Sequence, residues 1–182
     1  MIHAPMSTAP ADLVDVELLA TEQAALEGTY PIAAMPRLTA SLAGDAGRAR
    51  ATFRFYRVNG KPAVDGDVEA EVELVCQRCL ATMRLAVAGR LELVFVEREA
   101  DAALELPEGL EPALAPHGRA SLLAVVEDEL LLSLPLVAKH DDPSACSELT
   151  APERVRAEQA AAAAREETVQ RPFAGLKDHL KS

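Results

Sequence analysis

Aromatic side chains are scarce, since they make up 3% of the chain and tryptophan is absent. Any core must therefore be built from aliphatic residues. Basic residues are also in deficit. Eighteen lysines and arginines face 29 aspartates and glutamates, for a formal net charge of −11 and a pI near 4.8. That balance repels a nucleic-acid backbone, disfavours broad binding to naked RNA and suits basic partners instead. Three cysteines leave one over after any single disulfide. The opening residues Met1-Ile2-His3-Ala4-Pro5 lack the basic start and apolar stretch of a signal peptide. Long apolar runs are missing too, because the most apolar region, 122–137, is broken by Glu127-Asp128-Glu129 and Pro135. A cytoplasmic protein with reduced thiols and no membrane span is expected. There is no glycine-rich phosphate loop, no G-x-S-x-G and no H-E-x-x-H, so neither an enzyme nor a small-molecule substrate is indicated.

What is present is organised by changes of period. Residues 13–32 mix apolar and acidic positions and predict a short strand or helix, with a turn at Gly28-Thr29-Tyr30-Pro31. Residues 35–42 suggest a short helix stopped by Gly44 to Gly47. From Ala49 the period is two. Ala49, Ala51, Phe53 and Phe55 form one face of a strand, and Asn59-Gly60 marks a turn. Val68, Ala70, Val72, Leu74 and Cys76 then alternate with Asp67, Glu69, Glu71 and Glu73, giving one buried and one acidic face. The pattern repeats in Met83, Leu85, Val87, Leu91, Leu93 and Phe95, interrupted at Gly89, where a bulge or a close backbone approach is expected.

Between Glu97 and Glu111 six acids face one arginine, and Pro107, Gly109, Pro112 and Pro116 predict an exposed acidic loop. Helical spacing returns at 120–134, with Leu122, Leu123, Val126 and Leu130 on one stripe and Pro135 as the stop. After Cys146, a capping box at Thr150-Ala151-Pro152-Glu153 opens an alanine-rich stretch with little to bury. The expected fold class is α+β: an antiparallel β-meander or partly closed barrel-like sheet, a packed amphipathic helix and a C-terminal helical extension. The expected domains are a single α+β domain over 1–147, a helical spacer over 148–170 and a docking segment over 171–182, where Phe173 and Leu176 can anchor.

Chemistry concentrates at Val75-Cys76-Gln77-Arg78-Cys79-Leu80. Two thiols at C-x-x-C spacing chelate a metal, exchange a disulfide or pack as small hydrophobes. The redox use is disfavoured because a strand, rather than a helix, follows the pair. His140 and Cys146 complete a possible four-ligand structural zinc set with Cys76 and Cys79. Arg78 could reach a phosphate or a carboxylate, with a solvated surface arginine as the plain alternative. Glu127, Asp128 and Glu129 point in different directions around a helix and read as a solvated face, not a metal or acid–base cluster.

Taken together, Leu26-Glu27-Gly28, Met35-Pro36-Arg37-Leu38, Cys76-Gln77-Arg78-Cys79-Leu80, Glu111-Pro112, Val126 to Pro135, His140-Asp141 with Cys146, and Pro172-Phe173-Ala174-Gly175-Leu176 resemble the YceD family of bacterial large-subunit ribosomal RNA accumulation proteins. The resemblance covers nearly the whole chain, departing mainly over 157–164. It implies a cytoplasmic, non-enzymatic factor for synthesis, processing or stability of large-subunit (23S) ribosomal RNA. The motif positions it carries over are Cys76, Gln77, Arg78, Cys79, Glu127, Asp128, Glu129, His140, Cys146 and Phe173, none with a catalytic role. With the acidic charge, it points to an adaptor for a basic ribosomal protein or large-subunit assembly factor. Direct RNA binding at the Cys76–Cys79 turn, and a thiol oxidoreductase, are the alternatives.

Overall fold

The computed structural model describes residues 13–98, 109–142 and 145–146. The chain divides into two compact units, Met1–His140 and Asp141–Ser182. In the first unit, strand β1 (Leu13–Asp15) leads into helix α1 (Val16–Glu22), whose N-cap Asp15 accepts a hydrogen bond from the Leu18 N–H at 2.9 Å. Strand β2 (Ala25–Pro31), a one-turn helix α2 (Pro36–Thr39) and the long strands β3 (Arg48–Val58), β4 (Lys61–Val75) and β5 (Thr82–Val96) follow. Strands β6 (Glu111–Leu114) and β7 (Arg119–Ser121) then precede helix α3 (Leu122–Ser133). In the second unit, the described residues form a short turn in which the Ala145 N–H donates to the Asp142 carbonyl.

The main sheet is ordered β2-β3-β4-β5-β6 and is open, so the meander alternative is the one formed. Pairing is antiparallel from β2 to β5, whereas β6 runs parallel to β5. Pro112, expected to break regular structure, lies in this edge strand, where a missing N–H can be tolerated. Gly28 to Pro31, expected to form a turn, are instead the second half of β2, with Gly28 opposite Ala51 and Tyr30 opposite Ala49. A separate pairing joins β1 to β7. The C-terminal helical extension, the spacer and Phe173 lie outside the described residues.

The alternating residues behave as their period predicts: Ala49, Ala51, Phe53, Phe55, Val68, Val72 and Leu74 are buried on one face of the sheet. Helix α3 packs chiefly on β5 and also touches β4 and α2. Leu122, Val126 and Leu130 are its buried apolar residues. Gly89 is where α3 comes closest. The β4–β5 register runs unbroken from Val75↔Thr82 to Ala63↔Val94, so there is no bulge, and a Cβ at Gly89 would collide with the Glu129 and Ser133 side chains.

The opposite face carries charge in rows. The carboxylates of β4 stand between arginines of β3 and β5 and pair with them: Arg50 with Glu69, Arg54 with Asp65, and Arg84 with Glu71 and Glu73. The face predicted to be acidic is therefore largely compensated by its neighbours. Exposed pairs of this kind set strand register more than they add stability.

Glu127 departs from the solvated-face expectation. It is 4% exposed, and its Oε1 accepts the backbone N–H groups of Arg37 at 2.6 Å and Leu38 at 3.1 Å. Its Oε2 meets the Arg37 guanidinium at 3.0 Å from Nε and 2.8 Å from the second terminal nitrogen. The physical reason lies in α2. That helix begins at Met35-Pro36 with no capping side chain of its own, so its orphan N–H groups are satisfied by an acid from α3. Asp128 stays exposed and pairs with Arg37 from outside. Burial alone would raise the Glu127 carboxyl, but the Arg37 side chain and the N–H groups of Leu38 and Arg37 outweigh it and hold the group below the ordinary carboxylate range.

A depressed carboxyl contributes its full stability above its unfolded pKa and loses it as pH falls through the folded value. Glu127→Gln should cost about 2 kcal/mol at pH 7 and remove part of the acid limb of the stability curve. Asp128→Asn should change stability by no more than about 0.5 kcal/mol. Urea unfolding of the three proteins across pH 3–7 checks both; equal losses would show that the buried clamp carries no special weight.

Candidate functional site

The β4–β5 hairpin closes through Cys76 to Ala81. The Cys76 N–H donates to the Ala81 carbonyl at 2.9 Å, and the Leu80 N–H donates back to the Cys76 carbonyl at 2.8 Å. Cys76 continues the inward register of β4 and is 0% exposed, whereas Cys79 stands half-buried in the connection. Leu80 takes a left-handed conformation with φ 61°. Beyond α3, the chain returns from Pro135 toward this turn, where the Gln77 N–H donates to the Ala138 carbonyl at 2.8 Å and Ala138 is buried. His140, two residues on, is thereby brought against Cys79, with Sγ and Nδ1 3.7 Å apart.

The sulfurs of Cys76 and Cys79 and a ring nitrogen of His140 lie within 4.8 Å of one another. Tetrahedral zinc, at about 2.3 Å from sulfur and about 2.0–2.1 Å from nitrogen, sets neighbouring donors about 3.5–3.8 Å apart. The Cys79–His140 separation already fits, and the other separations stay within 4.8 Å. The electrostatics suit a thiolate. Burial would raise the Cys76 thiol, but the backbone N–H groups of Cys79, His140 and Arg78, with the Cys79 side chain, outweigh it and bring the group down to about 5. These three residues form a donor set able to hold a metal ion. The fourth residue of the sequence set, Cys146, belongs to the second unit.

The other candidates fall elsewhere. Gln77 and Arg78 are exposed at the tip of the hairpin. Glu127 is committed to α2, and Asp128 to Arg37. Glu129 sits over Gly89; burial raises its carboxyl against the Arg90 N–H, Glu111 pushes in the same direction as burial, and the Ser133 hydroxyl opposes it. Glu127 and Asp128 thus share Arg37, one buried and one exposed, while Glu129 stands apart over Gly89, so the three form no single carboxylate cluster. Arg37 and the return segment around Ala138 were missed as positioning elements. The signal was there in Met35-Pro36-Arg37, a helix start lacking an Asp, Ser or Thr cap and so calling for an anion from elsewhere.

A redox role needs one thiol within reach of a disulfide. The thiol tuned toward thiolate here is the inaccessible one. In protein treated with chelator, iodoacetamide at neutral pH should modify Cys79 at least about tenfold faster than Cys76, as followed by peptide mass mapping. Faster labelling of Cys76 would show that the turn opens readily and would revive thiol exchange.

Comparison with known proteins gives the family of the chain. Residues 64–180 match the family described as Large ribosomal RNA subunit accumulation protein YceD. A protein of Haemophilus influenzae bearing that same name is 35% identical over 133 residues, which cover 70% of this chain and 73% of the relative. No solved structure matches. The matched span takes in β4 from Val64 onward, the cysteine turn, β5, α3 and the return to His140, and on these grounds the chain belongs to the YceD family.

Proposed function

We propose that the protein is a non-enzymatic, cytoplasmic factor in ribosome biogenesis that supports synthesis, processing or stability of large-subunit ribosomal RNA. The observation that carries this reading is membership of a family named for accumulation of that RNA, over a span that includes the cysteine turn. No helix among the described residues is long and apolar enough to cross a membrane. The acid excess supports an adaptor that engages a basic ribosomal protein or assembly factor. Since most carboxylates of β4 are paired with arginines, the acid excess of 97–111, six acids and one arginine by sequence, is the better place for that contact.

The metal reading belongs to the same proposal. Cys76, Cys79 and His140 hold a structural zinc, with Cys146, by its spacing in the sequence, as the fourth ligand of the set. When bound, zinc would fix the hairpin turn to the segment that follows α3, a purely structural service. Protein purified without chelator should carry about one zinc per chain, and Cys76→Ser/Cys79→Ser should carry none. A substoichiometric content that Cys146→Ser leaves unchanged would defeat the four-ligand set.

The functional test is the ratio of large- to small-subunit ribosomal RNA, with a gradient profile of ribosomal particles, in depleted cells rescued by wild type or by Cys76→Ser/Cys79→Ser. Depletion should lower the large-subunit RNA, and the double mutant, expressed at equal level, should fail to restore it. An unchanged ratio and profile on depletion would overturn the ribosomal reading.

A further inference from the structure

Strand β5 runs from Thr82 to Val96, yet among the described residues only Leu93 to Val96 have a partner strand on the side away from β4. The earlier residues form an edge of the sheet. Which of their backbone groups face outward follows from the ladder. The Cys76 N–H donates to the Ala81 carbonyl, and the β4–β5 register carries that pairing to every second residue, so the odd-numbered residues of β5 bond to β4. The even-numbered residues turn away from it. The Arg90 N–H accordingly donates to Glu129, and the Val96 carbonyl accepts the Ala115 N–H at 2.8 Å. That leaves the outward N–H and C=O groups of Thr82, Arg84, Ala86 and Ala88, which bond to nothing among the described residues.

Sheet edges are ordinarily blunted by charge, proline or a bulge. Residues 82–88 read Thr-Met-Arg-Leu-Ala-Val-Ala, with a single charge, no proline and an unbroken register. Both faces beside them are small or apolar. Ala86 and Ala88 are exposed and line a trough of about 510 Å³ on the charged face of the sheet, beside Glu69, Glu71, Arg48 and Arg50. On the other face Leu85 is half-buried, and Leu132, on the flank of α3 away from α2, is 74% exposed.

The edge matches itself. Antiparallel pairing about a two-fold axis at Leu85 sets Thr82 against Ala88 and Arg84 against Ala86, so that every one of the free backbone groups finds a partner. Leu85 then meets Leu85 of the other copy at the close, non-hydrogen-bonded spacing, and Met83 meets Val87. Neighbouring registers fail. An axis at Arg84 opposes the two Arg84 side chains, and one at Ala86 sets Thr82 against Arg90, whose N–H is taken by Glu129. Charge favours the same register. Ala86 lies opposite Glu71 of β4, so Arg84 of the second copy reaches across a small side chain toward a carboxylate that its own copy's Arg84 approaches to 3.6 Å. The two arginines are thereby set among Glu71 and Glu73 of both copies, while Glu69, opposite Ala88, is held by Arg50. Arg90 with Glu92 and Asp67, and Glu129 with Glu111, stand beyond the end of this ladder. We propose that two copies of the chain join edge to edge through β5, in one continuous sheet centred on Leu85. This dimer does not depend on the ribosomal reading, and the two tests fail separately.

The test is sedimentation velocity of the full chain in reductant, over a range of concentrations. A particle of twice the 19.4 kDa chain should form with a Kd on the order of 10 µM, weak because the paired edge is short. Ala86→Pro removes an outward N–H at a place where an edge strand tolerates proline; it should raise that Kd at least about tenfold and leave Tm within about 3 °C. Arg84→Glu should weaken the dimer about fivefold, and Arg84→Glu/Glu71→Arg should restore it. The register is read independently by single cysteines in a glutathione buffer, with the wild type as the blank for the native thiols. Leu85→Cys should form a disulfide-linked dimer at least about tenfold faster than Ala86→Cys, although Ala86 is the more exposed position. Faster linking through Ala86→Cys overturns the proposal, as does a Kd unmoved by Ala86→Pro. A chain that stays monomeric up to about 500 µM also overturns it, and leaves the edge to another protein. A dimer that forms only when residues 99–108 are replaced by a glycine–serine linker would give the edge to the chain's own residues and overturns it too.

Discussion

The buried carboxylate of Glu127 is the interaction on which the rest of the cysteine end depends. It satisfies the start of α2 and holds Arg37, so α2, with the loop that follows it, and the body of α3 are joined through one side chain bonded to Arg37 and Leu38. The Ala43 N–H then donates to the Glu73 carbonyl of β4 at 2.7 Å, tying that loop to the sheet. With α3 held over Gly89, its C-terminal end delivers Pro135 to His140 toward the hairpin turn. An ion pair such as that of Glu127 with Arg37 contributes modest net stability, since desolvation offsets much of its attraction, but removing one partner leaves the other stranded. Its main effect is on specificity, because few other placements of α3 would satisfy both the N–H groups and the guanidinium.

Most of the sheet is legible in the sequence because a period of two has a single physical solution when one face must be buried. Ala49 to Phe55, Val68 to Cys76 and Met83 to Phe95 need no information from distant parts of the chain. The errors fall where distant parts decide. Gly28 to Pro31 carry turn residues, yet pairing with Arg48 to Ala51 draws them into a strand. Pro112 reads as a breaker until β5 supplies a parallel edge for it. Glu127 reads as solvated because its partner lies ninety positions earlier in sequence. Its place four residues after Leu123 and three before Leu130 puts it beside the apolar stripe, a hint that composition alone hides.

At the candidate site, the sequence names the donors but not their arrangement. C-x-x-C at a strand end says that two sulfurs can meet, and the hairpin register explains why one of them is inaccessible. Three backbone N–H groups converging on Cys76 could not be read from residue types, because main-chain donors are the same for every residue other than proline. The opposite sheet face teaches a related lesson. A row of acids along β4 looks like an anionic surface until its neighbours are known to carry arginines at matching positions. Net charge counts residues, whereas a partner meets the potential left after local pairing.

The pairing of β1 with β7 has a consequence for the order of assembly. The turn at Gln77 to Leu80 closes a short loop, so β4 and β5 can zip together from the cysteine end with little loss of chain entropy. Leu13 to Asp15, by contrast, must find Arg119 to Ser121 across almost the whole described first unit. A contact of such high sequence separation forms late and opens early, with only three residue pairs to hold it. The protein thus carries its most local closure at the thiol turn and its most distant one at a small clasp. The hairpin can mature while the strand that leads into α1 is still finding its place.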